Sequence, residues 1–185
     1  MFIQTEETPN PLTLKFLPQK VVMEEGTCQF TSVDEAQKSP LAERLFKISG
    51  VERVLFGSDF ISITKLPDRE WYILKPSVLG AIMEHFVSDR PLFKGEMEAQ
   101  NFPKEEDTIS REIREIIETR VRPAVAQDGG DILFDRFEEG IVYVQMQGAC
   151  SGCPSSTATL KSGIENMLKH YVPEVMEVRS IENII

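Results

Sequence analysis

Apolar positions along the chain recur with two periods, and each period predicts an element. Ile109, Ile113, Ile116, Ile117 and Val121 fall at helical spacing with charges on the opposite side, and Pro123 is expected to kink that helix. Asp128-Gly129-Gly130-Asp131 reads as a turn. Two strand-like runs follow, from 132 to 137 and from 141 to 147, joined by Glu138-Glu139-Gly140 as a hairpin. Leu160, Ile164, Leu168 and Tyr171 then mark an amphipathic helix, with Met167 beside the stripe, and a last strand is expected over about 175 to 181. The predicted order in this half is α-β-β-α-β, a small α+β domain with helices on one face of a sheet.

The other half gives a similar but weaker pattern. Runs at 12–17 and 27–31 read as short strands and 41–48 as a short helix. Runs at 51–56 and 60–65 flank Gly57-Ser58-Asp59 as a hairpin, and Leu79, Ile82, Met83 and Phe86 share one face of a helix following Pro76. Between the halves, residues 91–106 carry Pro, Gly and acids without a sustained period, which predicts a linker. The expected architecture is α+β in two small domains: a mixed α/β domain over 1–90, and the α-β-β-α-β domain over 107–185.

Composition narrows the function classes. The 185 residues are 41% hydrophobic and 27% charged, the values of an ordinary globular chain, and no apolar run has membrane-spanning length. The net charge is −10, and the stretch from Glu96 on holds 9 basic against 17 acidic residues. Nucleic-acid binding needs a basic face, so that half is a poor candidate for it. The opening Met1-Phe2-Ile3-Gln4-Thr5-Glu6-Glu7 lacks the basic or apolar character of a signal or transit peptide, which predicts a cytoplasmic, bacterial protein. Three cysteines do not make a secreted disulfide framework.

Two of those cysteines concentrate the chemistry. Gly148-Ala149-Cys150-Ser151-Gly152-Cys153-Pro154-Ser155-Ser156 places a Cys-x-x-Cys pair between a strand and a helix. Pro154 suits the first helical position, putting Cys153 at the N-cap, where backbone N–H groups and the helix dipole favour a thiolate. Gly148 and Gly152 leave room for inorganic sulfide near the backbone. Ser155, Ser156 and Thr157 read as ordinary helix-start residues that also place hydroxyls near the loop. Tetrahedral zinc or an iron–sulfur cubane wants four ligands, so the pair is half of a site. Four readings stay open: a structural disulfide, which a reducing cytoplasm disfavours; a thiol–disulfide redox pair, although its usual fold does not place the motif after a hairpin; a zinc site lacking two ligands; and four thiolates brought together by two copies about a two-fold axis.

The second half resembles the NifU C-terminal domain, the iron–sulfur module of the Nfu family. The resemblance rests on Val121-Arg122-Pro123, Asp128-Gly129-Gly130-Asp131-Ile132, the cysteine segment and Thr159-Leu160-Lys161-Ser162-Gly163-Ile164-Glu165. The first half is similar to the Nfu-type N-terminal domain through Thr8-Pro9-Asn10-Pro11, Leu14-Lys15-Phe16-Leu17-Pro18, Gly57-Ser58-Asp59-Phe60-Ile61 and the Gly80 to Phe86 helix. Gln19 departs from the pattern, standing where a glycine is expected after Leu-Pro. The resemblance implies a non-enzymatic scaffold and carrier of a [4Fe-4S] cluster. Cys150 and Cys153 would be its ligands, and the cluster would be bridged within a homodimer. Upstream cluster donors would load it, and apo-enzymes such as lipoyl synthase or aconitase would receive it.

Other reactive residues have plainer expectations. Cys28, on a strand-like segment near Phe30, reads as a small, partly buried apolar residue. His85 and His170 read as structural. Asp128 and Asp131 read as turn and cap residues rather than catalytic carboxylates. Trp71 and Tyr72 read as packing aromatics, with a client-contact patch as the alternative.

Overall fold

The structure, a computed structural model, describes residues 1–95, 106–152 and 154–181, with backbone alone for 154–156. The chain divides into two units, Met1–Ala99 and Gln100–Ile185. Each is an α+β unit with its own sheet and its own core.

The first unit runs β1 (Gln4–Glu7), β2 (Thr13–Leu17), β3 (Cys28–Phe30), α1 (Val33–Ala36), α2 (Pro40–Phe46), β4 (Val51–Phe56), β5 (Ile61–Lys65) and α3 (Trp71–Val87). Its five strands lie in the order β1-β2-β5-β4-β3, antiparallel throughout. Local chemistry sets the boundaries. Ser39 caps α2 by accepting the Ala42 N–H at 3.2 Å, with Pro40 in the first turn. The β4–β5 hairpin closes through the Gly57 N–H on the Phe60 carbonyl at 2.9 Å. Phe16, Phe30, Phe56, Leu41, Leu45, Ile63 and Ile82 are fully or almost fully buried in its core. Leu92 and Phe93, inside the segment expected to be linker, pack against this core, with the Phe93 ring 6.5 Å from Phe30 and 6.3 Å from Phe56.

Two expectations here need correction. The helix α3 does not wait for Pro76 but starts at Trp71, with Pro76 inside it. One turn in, the missing Pro76 N–H forfeits only the bond to the carbonyl of Tyr72, an exposed residue that water can serve. Met83, expected on the core face, is exposed; Leu74, Val78, Ala81, Ile82 and His85 form the buried face.

The second unit runs α4 (Thr108–Ile116), a π turn (Ile117–Val121), α5 (Arg122–Gln127), β6 (Gly130–Glu138), β7 (Ile141–Gly148), α6 (Pro154–Tyr171) and β8 (Glu177–Ser180). Asp107 caps α4 by accepting the Ser110 N–H at 2.7 Å, and that bond holds its carboxyl below the usual range. Pro123 does not break the helix as a kink. The π turn widens the coil, with the Arg122 N–H on the Ile117 carbonyl, and Ile113, Ile117, Val121 and Val125 all stay buried. Strand β6 pairs antiparallel with β7 through a tight turn in which Glu139 and Gly140 have φ of 50° and 80°. Strand β8 pairs parallel with β7, so α6 must cross over to connect them. Among the described residues no helix is long and apolar enough to cross a membrane.

Candidate functional site

The β6–β7 hairpin ends on two facing glycines. Gly130 and Gly148 are cross-strand partners, and the chain turns immediately after them. Gly148 has φ of 59°, a left-handed turn that lets the Ser151 N–H return to its carbonyl at 3.1 Å. The Ala149 N–H reaches across to the Gly129 carbonyl at 3.2 Å, tying the loop to the start of β6.

This turn drives Cys150 inward. Cys150 is 6% exposed and belongs to the unit's apolar core. The cause is the bare backbone of Gly130: a Cβ there would stand 2.2 Å from the Cys150 Sγ and 3.0 Å from its backbone nitrogen. The sulfur occupies the space that any other residue's side chain would need. Burial pushes the Cys150 thiol up to about 12, and the Asp128 and Asp131 carboxylates add to the effect. The metal-free thiol is therefore protonated at neutral pH, and metal binding must release that proton.

The loop is braced from two sides. The Thr157 hydroxyl, in the first turn of α6, donates to the Cys150 carbonyl at 3.2 Å. On the other side, Arg122 grips the Asp131 carboxylate with two bonds of 2.9 and 2.8 Å and holds Glu118 at 2.7 Å. Asp131 is thus a buried strand residue in a bidentate ion pair, not the turn or cap residue expected. Facing it across the sheet is Gln147, whose buried Oε1 has no hydrogen-bond partner among the described residues. In the sequence Arg122 stands out only within Val121-Arg122-Pro123. Its partner lies nine residues on, beyond a proline and two glycines, a separation that no helical or strand period links.

The remaining predicted residues separate cleanly. Cys153 lies outside the described residues, as do the side chains of Ser155 and Ser156. Cys28 is half-buried against the first unit's core, and burial pushes its thiol up to about 11. Asp128 is the C-cap of α5. Trp71 is a packing residue, its indole N–H on the Pro11 carbonyl at 3.2 Å and its ring 6.4 Å from Phe16, whereas Tyr72 is exposed. His85 is buried with its Nε2 unpartnered among the described residues. No group of three or more His, Cys, Asp or Glu residues arranged to hold a metal occurs among the described residues.

These features define a two-domain α+β protein that carries a Cys-x-x-Cys loop at the end of a β-hairpin. The chain belongs to the Nfu/NifU scaffold protein family. Residues 3–89 match the family described as "Scaffold protein Nfu/NifU N terminal", and residues 113–179 match the "NifU-like domain". Over 96% of its length it is 52% identical to NifU-like protein 4, mitochondrial, of Arabidopsis thaliana, spanning 65% of that protein. Over 98% of its length it is 47% identical to the human protein named NFU1 iron-sulfur cluster scaffold homolog, mitochondrial, spanning 72% of it. The chain thus spans about two thirds of the length of these relatives. The solution structure of a NifU-like protein from Saccharomyces cerevisiae is 26% identical, with a TM-score of 0.47 over 52% of this chain and 87% of that one.

Proposed function

We propose that this protein is a carrier of a [4Fe-4S] cluster, which it receives from an upstream donor and hands to apo-enzymes. Cys150 and Cys153 are its ligands on each chain, and two protomers bring four thiolates to one cluster. Membership of the family supports the scaffold role, as does the human relative's name. The observation that carries the reading is the seat of Cys150. One sulfur sits at the end of a hairpin, held by backbone and lacking the further ligands that a complete mononuclear site would need among the described residues. A single pair leaves the site incomplete, and a second copy completes it.

The cluster is cargo, and the chemistry is ligand exchange. A client thiolate displaces one carrier thiolate at a time, and no bond in an organic substrate is made, so the protein is not an enzyme. A thiol–disulfide oxidoreductase is the rival reading. Its usual fold does not place the motif after a β-hairpin, whereas Cys150 here follows the β6–β7 hairpin.

Anaerobic reconstitution with iron and sulfide tests the proposal. The expected product is a brown dimer with four iron and four sulfide per two chains, lost in Cys150→Ser. A colourless protein, zinc-loaded or disulfide-bonded, overturns it.

A further inference from the structure

Cys150 is buried in the apolar core of the second unit, and its Sγ rests on the bare backbone of Gly130, in the space that a Cβ there would need. A metal–thiolate bond is about 2.3 Å long, so iron bound to the sulfur where it stands would lie among packed side chains. A cluster bridged between two chains must also meet the second chain, which needs the sulfur at the surface. The seat against Gly130 is therefore a stored position for the thiol, and ligation takes another.

The turn that carries Cys150 is built to change position. Gly148 and Gly152 stand two residues to either side of the cysteine, with φ of 59° and 78°. Glycine passes between left- and right-handed backbone at little cost, so this pair can absorb the rotation that swings a short turn. Two bonds tie the turn down from outside it. The Ala149 N–H donates to the Gly129 carbonyl at 3.2 Å, and the Thr157 hydroxyl donates to the Cys150 carbonyl at 3.2 Å. Neither bond involves the sulfur, and both hold the backbone that carries it.

We propose that the cysteine turn is a latch with two positions, and that Thr157 is the positioning residue that holds it closed. In the closed position the Cys150 sulfur is stored against Gly130, shielded from oxidants and stray metal while the chain is empty. In the open position the sulfur stands outside the core and binds iron. The open position rests on the carrier reading, whereas the closed one stands on the seat alone. Cluster loading then waits for the turn to open, and anything that weakens the closing bonds speeds it.

The test is alkylation of Cys150 by iodoacetamide in the full-length, metal-free, reduced chain carrying Cys28→Ser and Cys153→Ser, followed by mass. The folded chain is expected to react at least about 100-fold more slowly than the same chain unfolded in urea. Thr157→Val should raise the folded rate about fivefold, the net worth of one hydrogen bond, and Thr157→Ser should return it to the parent value. Gly130→Ala, whose Cβ takes the place of the sulfur, should raise it further. If circular dichroism shows that variant unfolded, the two Thr157 variants decide alone. With all cysteines restored, the brown colour should grow about fivefold faster in Thr157→Val during reconstitution with iron and sulfide, by the same conversion. A folded rate equal to the unfolded one, or one indifferent to Thr157, overturns the latch. Failure of the carrier reading looks different. A chain that stays colourless while its alkylation still answers to Thr157 loses the cluster and the open position, and keeps the stored thiol. A Thr157→Val chain that turns brown only at the parent's rate keeps the carrier and loses the latch.

Discussion

Cys150 keeps its sulfur against a backbone position that offers no side chain to resist it. That makes Gly130 a determinant of where the thiol stands, although it bears no chemistry itself. Gly130→Ala puts a methyl group 2.2 Å from the Sγ and 3.0 Å from the loop backbone, so the loop must move. The expected cost is about 2 kcal/mol of stability from overpacking. Removing the sulfur with Cys150→Ala relieves the closer clash. The double variant should therefore be more stable than the sum of the two single effects by about 1 kcal/mol. Urea unfolding of the four proteins measures this, and strict additivity would show that the sulfur does not occupy the Gly130 space in solution. The cysteine pair was legible from its spacing and flanking glycines. The seat was not, because it depends on register: only when Gly130 pairs with Gly148 does its bare face meet the loop. Gln19 shows the opposite case, since its φ of 56° is the conformation that the expected glycine would adopt without strain.

At the scale of elements, the strands other than β1 (Gln4–Glu7), for which no strand was expected, followed their sequence signals closely, while the helices departed from theirs in informative ways. The π turn at Ile117–Val121 keeps Val121 and Val125 buried on both sides of Pro123, and a period of 3.6 cannot register its extra residue. Helix α3 misled because its exposed side also carries large apolar residues, Ile73, Met83 and Val87, so the apolar period alone does not single out the face that Leu74, Val78 and Ile82 bury. The same helix buries His85, and burial, with the Arg90 and Arg44 guanidinium groups adding to it, lowers the imidazole pKa. The folded unit thus holds His85 neutral where the unfolded chain takes a proton. Stability present above the unfolded pKa of about 6.5 is lost as pH falls below it towards the folded value. Between pH 7.5 and pH 5.5, chosen to bracket that pKa, the first unit's melting temperature should fall more steeply in the parent than in His85→Phe. Equal slopes would mean that the imidazole is protonated in the fold after all.

For the whole molecule, what matters is that each unit closes its own core without a metal. Cys150 is itself part of the second core, so the cluster-free chain has no reason to unfold, unlike a domain whose only core is its metal site. Chelation of the loaded protein should bleach it and leave the far-ultraviolet circular dichroism unchanged. Two separate cores also predict two calorimetric transitions, each answering to substitutions in its own unit. Arg122→Ala strands the buried Asp131 carboxylate, a loss of about 3 kcal/mol, and should lower one transition only. Gln19→Gly removes a left-handed strain of roughly 1 kcal/mol, partly offset by the greater freedom of glycine in the unfolded chain, and should raise the other slightly. The two substitutions combined should add within about 0.5 kcal/mol, as sites in different units without shared partners do. If Arg122→Ala instead drags both transitions down together, the halves fold as one cooperative body.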